Sequence, residues 1–135
     1  MASLALLSNT KPSAADAKKL AAVLAGQQAE EQALVYLQQQ GLTLRERNFR
    51  CKTGEIDLIM QHGETVVFVE VKYRRSTQYG GALLSISARQ QQRIIKTASY
   101  YLMRQAPYAQ ARFDVIALEG ENNLHWLPNA FTTDF

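Results

Sequence analysis

One cysteine, two histidines, a single tryptophan and three prolines stand among the 135 residues. The lone Cys51 excludes an internal disulfide. With so few thiols and imidazoles, a zinc site built on paired cysteines or a histidine cluster is excluded as well. Both absences fit a reducing cytoplasm. No stretch approaches the roughly 18 consecutive apolar residues of a membrane span. The opening Met1–Leu7 is apolar but short, and it lacks the positive flank of a secretory leader. Residues 1–12 are expected to form a loose tail, followed by a single domain over 13–135. There are no repeats or low-complexity tracts.

What is present suits a soluble globular domain, with 47% hydrophobic and 20% charged residues. The formal charge of +3 is mild but unevenly spread. From Arg45 to Arg112, twelve Lys and Arg face five acids, namely Glu46, Glu55, Asp57, Glu64 and Glu70. Such an excess suits a polyanionic partner, of which nucleic acid is the commonest. A basic surface kept for solubility is the other reading, and charge alone does not separate the two.

The most informative stretch is 54–75, read as two strands joined at His62-Gly63. The first spans about Glu55 to Gln61, and the second begins near Thr65 with Val66-Val67-Phe68-Val69. An unbroken run of β-formers implies a strand covered on both faces. Yet it continues as Glu70-Val71-Lys72, and Glu and Lys are seldom buried without a partner or a task. Alternation puts Phe68, Glu70 and Lys72 on one face and Val67, Val69 and Val71 on the other; it likewise groups Glu55, Asp57 and Ile59. A four-residue loop would set Asp57 directly opposite Glu70. Two carboxylates that close repel unless a proton or a cation lies between them, and a divalent metal is the obvious candidate.

Around this hairpin the spacing predicts a helix over 13–40, capped by Ser13 and stopped at Gly41, with Gly26 as a break. Its inward stripe is Val23, Ala33, Leu34 and Leu37, and Glu30 lies on that side while Glu31 faces a wetter one. Residues 42–50 give a short edge strand. After the Ser76–Gly81 loop, a helix capped at Ser85 or Ser87 runs to about Gln105, before Pro107. Ile94, Ala98, Tyr101 and Leu102 form its apolar side, and Arg89, Arg93, Lys96, Tyr100 and Arg104 a basic stripe. Strands follow at 112–118 and, briefly, at 124–127. The order is helix, three strands, helix, two strands: an α/β domain with a mixed sheet flanked by helices.

An acid, a turn and Glu-x-Lys on a buried strand resemble the signature of the PD-(D/E)xK nuclease superfamily. More narrowly, the chain resembles the YraN-like family of bacterial proteins, similar to archaeal Holliday-junction resolvases. The matching residues are Gly26-x-x-x-Glu30-x-x-Ala33-x-x-x-Leu37, Arg47-Asn48, Gly54-Glu55-Ile56-Asp57-Leu58-Ile59, Val67-Phe68-Val69-Glu70-Val71-Lys72, Tyr79-Gly80-Gly81, Arg112-Phe113-Asp114-Val115 and Asn129-Ala130-Phe131. Ile56 replaces the proline that names the superfamily, and Gln90 stands where relatives often carry lysine.

The resemblance implies a restriction-endonuclease-like fold and a four-residue site. Asp57 and Glu70 would hold Mg2+ or Mn2+ with the Val71 carbonyl; Lys72 would act on the attacking water and the phosphate, and Glu30 would complete the acidic pocket. It also implies hydrolysis of DNA, branched DNA included, and leaves open a pairing of two chains. Arg74, Arg75, Arg89, Arg93 and Lys96 are candidate phosphate contacts. Two alternatives stand beside this reading: a nucleic-acid-binding module that does not cut, and an ion-paired cluster that merely ends a strand. Glu55 is expected in solvent or behind the site. Asp114 is expected to be structural, holding Arg112 or a backbone amide. His62 is expected to be a turn residue, and His125 to close the core edge beside Trp126.

Overall fold

A computed structural model describes residues 13–74, 86–120 and 122–133. The expected tail, Arg75, the Tyr79-Gly80-Gly81 segment and Ser85 lie outside the described residues. The elements run α1 (Ala14–Gln39), β1 (Thr43–Cys51), β2 (Gly54–His62), β3 (Thr65–Arg74), α2 (Ala88–Gln105), β4 (Gln110–Glu119) and β5 (Asn123–Phe131).

α1 starts where the Ser13 hydroxyl accepts the Asp16 amide at 3.1 Å and stops ahead of Gly41, whose φ is 95°. Gly26 does not break it; the helix is continuous. A mid-helix glycine costs only about 1 kcal/mol, less than the packing of Ala29, Ala33, Leu34 and Leu37 contributes. Those four are the buried stripe, and Val23, expected among them, is 55% exposed. At 1.5 Å per residue the helix is about 39 Å long, and its first turns outrun the sheet, leaving 14–24 exposed.

The five strands lie in the order β1-β2-β3-β4-β5, antiparallel except for β3 and β4. A parallel pair needs a crossover, and α2 provides it. One helix covers each face. Toward α1 point Leu58, Met60, Val67, Val69, Ile116 and Leu118. Toward α2 point Ile59, Val66, Phe68 and Phe113, meeting Ile94, Ile95, Ala98 and Tyr101. β3 is therefore central and buried on both sides, as its unbroken apolar run requires. Burial of Phe68 alone stabilises by about 1.5–3 kcal/mol.

α2 is capped by Ser87, whose hydroxyl accepts the Gln90 amide. β1 is an edge, and a bulge between Leu44 and Glu46 shifts its pairing with β2. The last strand is nine residues long rather than four. Pro128 reads as a stop, but an edge strand tolerates it. Beyond it Asn129 turns through φ 54° and gives its amide to Asp114. Asp114 is fully buried and takes four bonds, two from Arg112, one from Trp126 Nε1 and one from the Asn129 amide. It is structural, as expected. Arg112 also reaches His62 Nδ1 at 3.1 Å, so His62 does more than turn the chain. His125 is exposed and closes nothing; Trp126 closes that edge, its ring edge-on to Tyr36.

Candidate functional site

β2 and β3 pair from His62↔Thr65 to Leu58↔Val69 around a turn of only Gly63 and Glu64. The sequence left the register open; the two-residue turn sets the same register that a four-residue loop would have given. One further step along it, Asp57 stands opposite Glu70. There the backbone ladder gives way: the Val71 amide donates to Asp57 Oδ2 at 2.8 Å. The pleat lapses at the same place. Ile56 and Ile59 both pack toward α2, while Leu58 between them faces α1. Asp57 thus leaves the simple alternation shared with Glu55 and Ile59, and its carboxylate fills a backbone position between parting strands.

Glu70 is 13% exposed and its carboxyl is hydrogen-bonded to that of Asp57. Burial, then the charge of Asp57, push Glu70 up to about 8, although Lys72 pulls the other way. Burial also raises Asp57, against the Val71 amide. Both carboxyls are thus held above their ordinary range, and a proton or a cation between them would relieve their repulsion. Lys72 Nζ lies 3.8 Å from Glu70 Oε1. The structure brings Asp57, Glu70 and Lys72 together at the end of the central strand.

Glu30 arrives from the other helix layer. It is half-buried, raised first by burial and then by the charge of Asp57, and lowered by Arg47 and by a hydrogen bond from Asn48. Among the described residues no three His, Cys, Asp or Glu side chains are grouped closely enough to enclose a metal. Glu30 lies within electrostatic reach of the pair, since the charge of Asp57 raises it. Glu31 is exposed and paired with Arg47 at 3.0 Å. Glu55 is likewise turned to solvent, bound to Arg50 at 2.8 Å.

The pair faces a cavity of about 540 Å3, lined by Asp57, Glu70, the β1–β2 turn from Cys51 to Glu55, and Gln90, Arg93 and Ile94 of α2. Arg93 is thus brought to the acids. Arg89 and Lys96 are exposed elsewhere along α2, and Arg74 is exposed at the end of β3. The turn itself is the part that sequence reasoning missed. Thr53 is hydrogen-bonded to the buried Thr97 at 2.9 Å, and Gly54, with φ 149°, would bring a Cβ within 3.3 Å of the same hydroxyl. Lys-Thr-Gly ahead of Glu-Ile-Asp was the available signal.

The donor chemistry fits a hard divalent cation. Mg2+ is commonly held by one or two carboxylates, with water and phosphate oxygens completing its shell. Two adjoining buried carboxyls, both raised, mark a place where positive charge is wanted. The N–H and C=O of a strand residue lie on the same edge, so the Val71 carbonyl opens toward the gap that its amide already faces.

A five-stranded mixed sheet between two helices, in the order α-β-β-β-α-β-β, has the architecture of a restriction-endonuclease-like domain. The model of the family described as Uncharacterised protein family UPF0102 matches residues 29–118, and the chain belongs to that family. A UPF0102 protein of Pseudomonas fluorescens is 52% identical over 109 residues, covering 78% of this chain and 91% of its own. One from a Janthinobacterium species is 55% identical over 107 residues (79% and 86%), and one from Shewanella baltica 58% over 106 (78% and 97%). No helix among the described residues is long and apolar enough to cross a membrane.

Proposed function

We propose that the protein is a divalent-metal-dependent nuclease that hydrolyses phosphodiester bonds in DNA, branched DNA included. The observation that carries this reading is the opposed Asp57–Glu70 carboxyl pair with Lys72 beside it, set where two strands part at the floor of a cavity that Arg93 also lines. Asp57, Glu70 and the Val71 carbonyl would hold Mg2+ or Mn2+. When bound, such an ion supplies Lewis-acid stabilisation of a phosphoryl oxygen and a more acidic water. The Lys72 ammonium would orient the attacking water and offset charge growing on the phosphate. Arg93, at the rim, would bind and position the same phosphate. Glu30 would hold negative potential behind Asp57.

One observation favours a second reading, a nucleic-acid-binding module that does not cut. Glu30, the acid expected to complete the pocket, is engaged by Asn48 and Arg47 instead. A cleavage panel of single-stranded, duplex, flap and four-way DNA in Mn2+ separates the two. The nuclease reading expects at least one substrate to be cut, with Asp57→Ala and Glu70→Ala abolishing cleavage while DNA binding persists. Binding without cleavage across the panel would leave the module.

A further inference from the structure

On the far side of the β1–β2 turn from the acids lies a second cavity, of about 560 Å3, lined by Arg50, Cys51, Lys52, Thr53 and Tyr100. Cys51, Lys52 and Thr53 also line the acidic cavity, so the turn is a wall common to both. Tyr100 is 39% exposed. Exposure alone carries nothing, because Tyr108 and Met103 are more exposed still. What sets Tyr100 apart is that its ring is held. Phe49 backs it at 6.3 Å between centroids, and the Arg104 guanidinium lies 4.9 Å from its centre.

The charges beside this ring are cationic. Arg50 is neutralised by Glu55, which leaves Lys52 in the cavity wall and Arg104 over the ring that lines it. With Arg104 over the ring, the surface offered to a nucleobase is the outer plane of a guanidinium held in place by Tyr100, and the Lys52 ammonium in the cavity wall suits the phosphates. A base inside a duplex has no free face to offer, so the ligand must be unpaired. Tyr100 follows Arg93 by seven residues on α2, about 10 Å of helical rise. That is about three base steps of a stacked strand.

We propose that Tyr100 and Arg104, with Lys52 on the shared wall, form a stacking subsite for an unpaired nucleobase on the strand whose phosphate enters the Asp57–Glu70 cavity. The substrate class is then nucleic acid with an unpaired segment beside the scissile bond. This rests on the nuclease reading for the role of the acidic cavity, but binding can be measured without catalysis.

The test is fluorescence anisotropy in chelator with three labelled probes: a blunt duplex, the same duplex with a single-stranded overhang, and the single strand. Wild type is expected to bind the overhang or single-stranded probe at least about fivefold tighter than the blunt duplex. Tyr100→Ala removes that preference and Tyr100→Phe keeps it, with blunt-duplex affinity unchanged in both. Arg104→Gln weakens binding of the unpaired probes and lowers its salt dependence. Preference retained by Tyr100→Ala, or absent from wild type, overturns the subsite while leaving Mn2+-dependent cleavage free to stand. Failure of all three probes to bind overturns the subsite, while the nuclease reading is judged separately by cleavage of the same probes in Mn2+.

Discussion

Replacing Glu70 by glutamine should stabilise the protein in chelator, and by an amount set by pH. The Glu70 carboxyl is pushed up to about 8 from an ordinary 4.5. A carboxyl raised on folding contributes nothing adverse while protonated in both states, and it destabilises progressively as pH climbs between the two values. At about 1.4 kcal/mol per unit, the burden is a little over ~3 kcal/mol at pH 7 and levels near 5 above pH 9. That is a large share of the roughly 5–15 kcal/mol that holds a domain together. The amide of Glu70→Gln would keep a donor for Asp57 without the charge. Urea unfolding in EDTA should therefore show the variant and wild type alike near pH 4.5. At pH 7 the variant midpoint should lie about 1–3 M higher, given slopes of about 1–3 kcal/mol per M. A gap that does not change with pH, or a variant less stable than wild type at pH 8, would refute the account of the pair as two carboxyls sharing a proton.

Mn2+ at a hundredfold excess over its dissociation constant should raise wild-type stability at pH 8 by about 3 kcal/mol, read as a shift in urea midpoint, and should leave Asp57→Asn unmoved; equal shifts in both would place the ion elsewhere. Asp114→Ala strands Arg112, Trp126 Nε1 and the Asn129 amide and is expected to cost about 3–5 kcal/mol. The one tryptophan should report the change directly through its fluorescence. Gly54→Ala, at φ 149° with Thr97 within 3.3 Å, is expected to cost about 1–3 kcal/mol, seen as a lower thermal midpoint.

The fold was legible where local pattern and tertiary role agreed. The apolar run of β3 announced a strand buried on both faces, and Ser13, Gly41, Ser87 and Pro107 punctuated the helices as their chemistry dictates. Legibility failed where a distant partner decides. Val23 obeys the helical period, yet no sheet lies beneath it. Pro128 argues against a strand until Asp114, fifteen residues earlier than Asn129, accepts the amide that follows it. At the site, parity gave Asp57 and Glu70 a common side for any even loop, but their facing depended on a register that the sequence left open. The interrupted pleat at Asp57 did not, because nothing in Ile-Asp-Leu says that its flanking side chains part to opposite faces. The position of Glu30 was likewise half-readable. Its helical face was correct, but Asn48 and Arg47 approach it from a strand whose irregular backbone the alternating pattern conceals.

The bond from the Val71 amide to Asp57 makes one backbone proton a witness to the site. In an ordinary ladder its exchange with solvent would track the opening of β2 from β3, together with its neighbours. Here it is tied to a side chain, so Asp57→Ala should free that single proton while Val69 and Val67 stay protected. An isotope-labelled sample could then follow the acid pair, its proton and any ion that displaces it through one resonance, without a substrate in the tube.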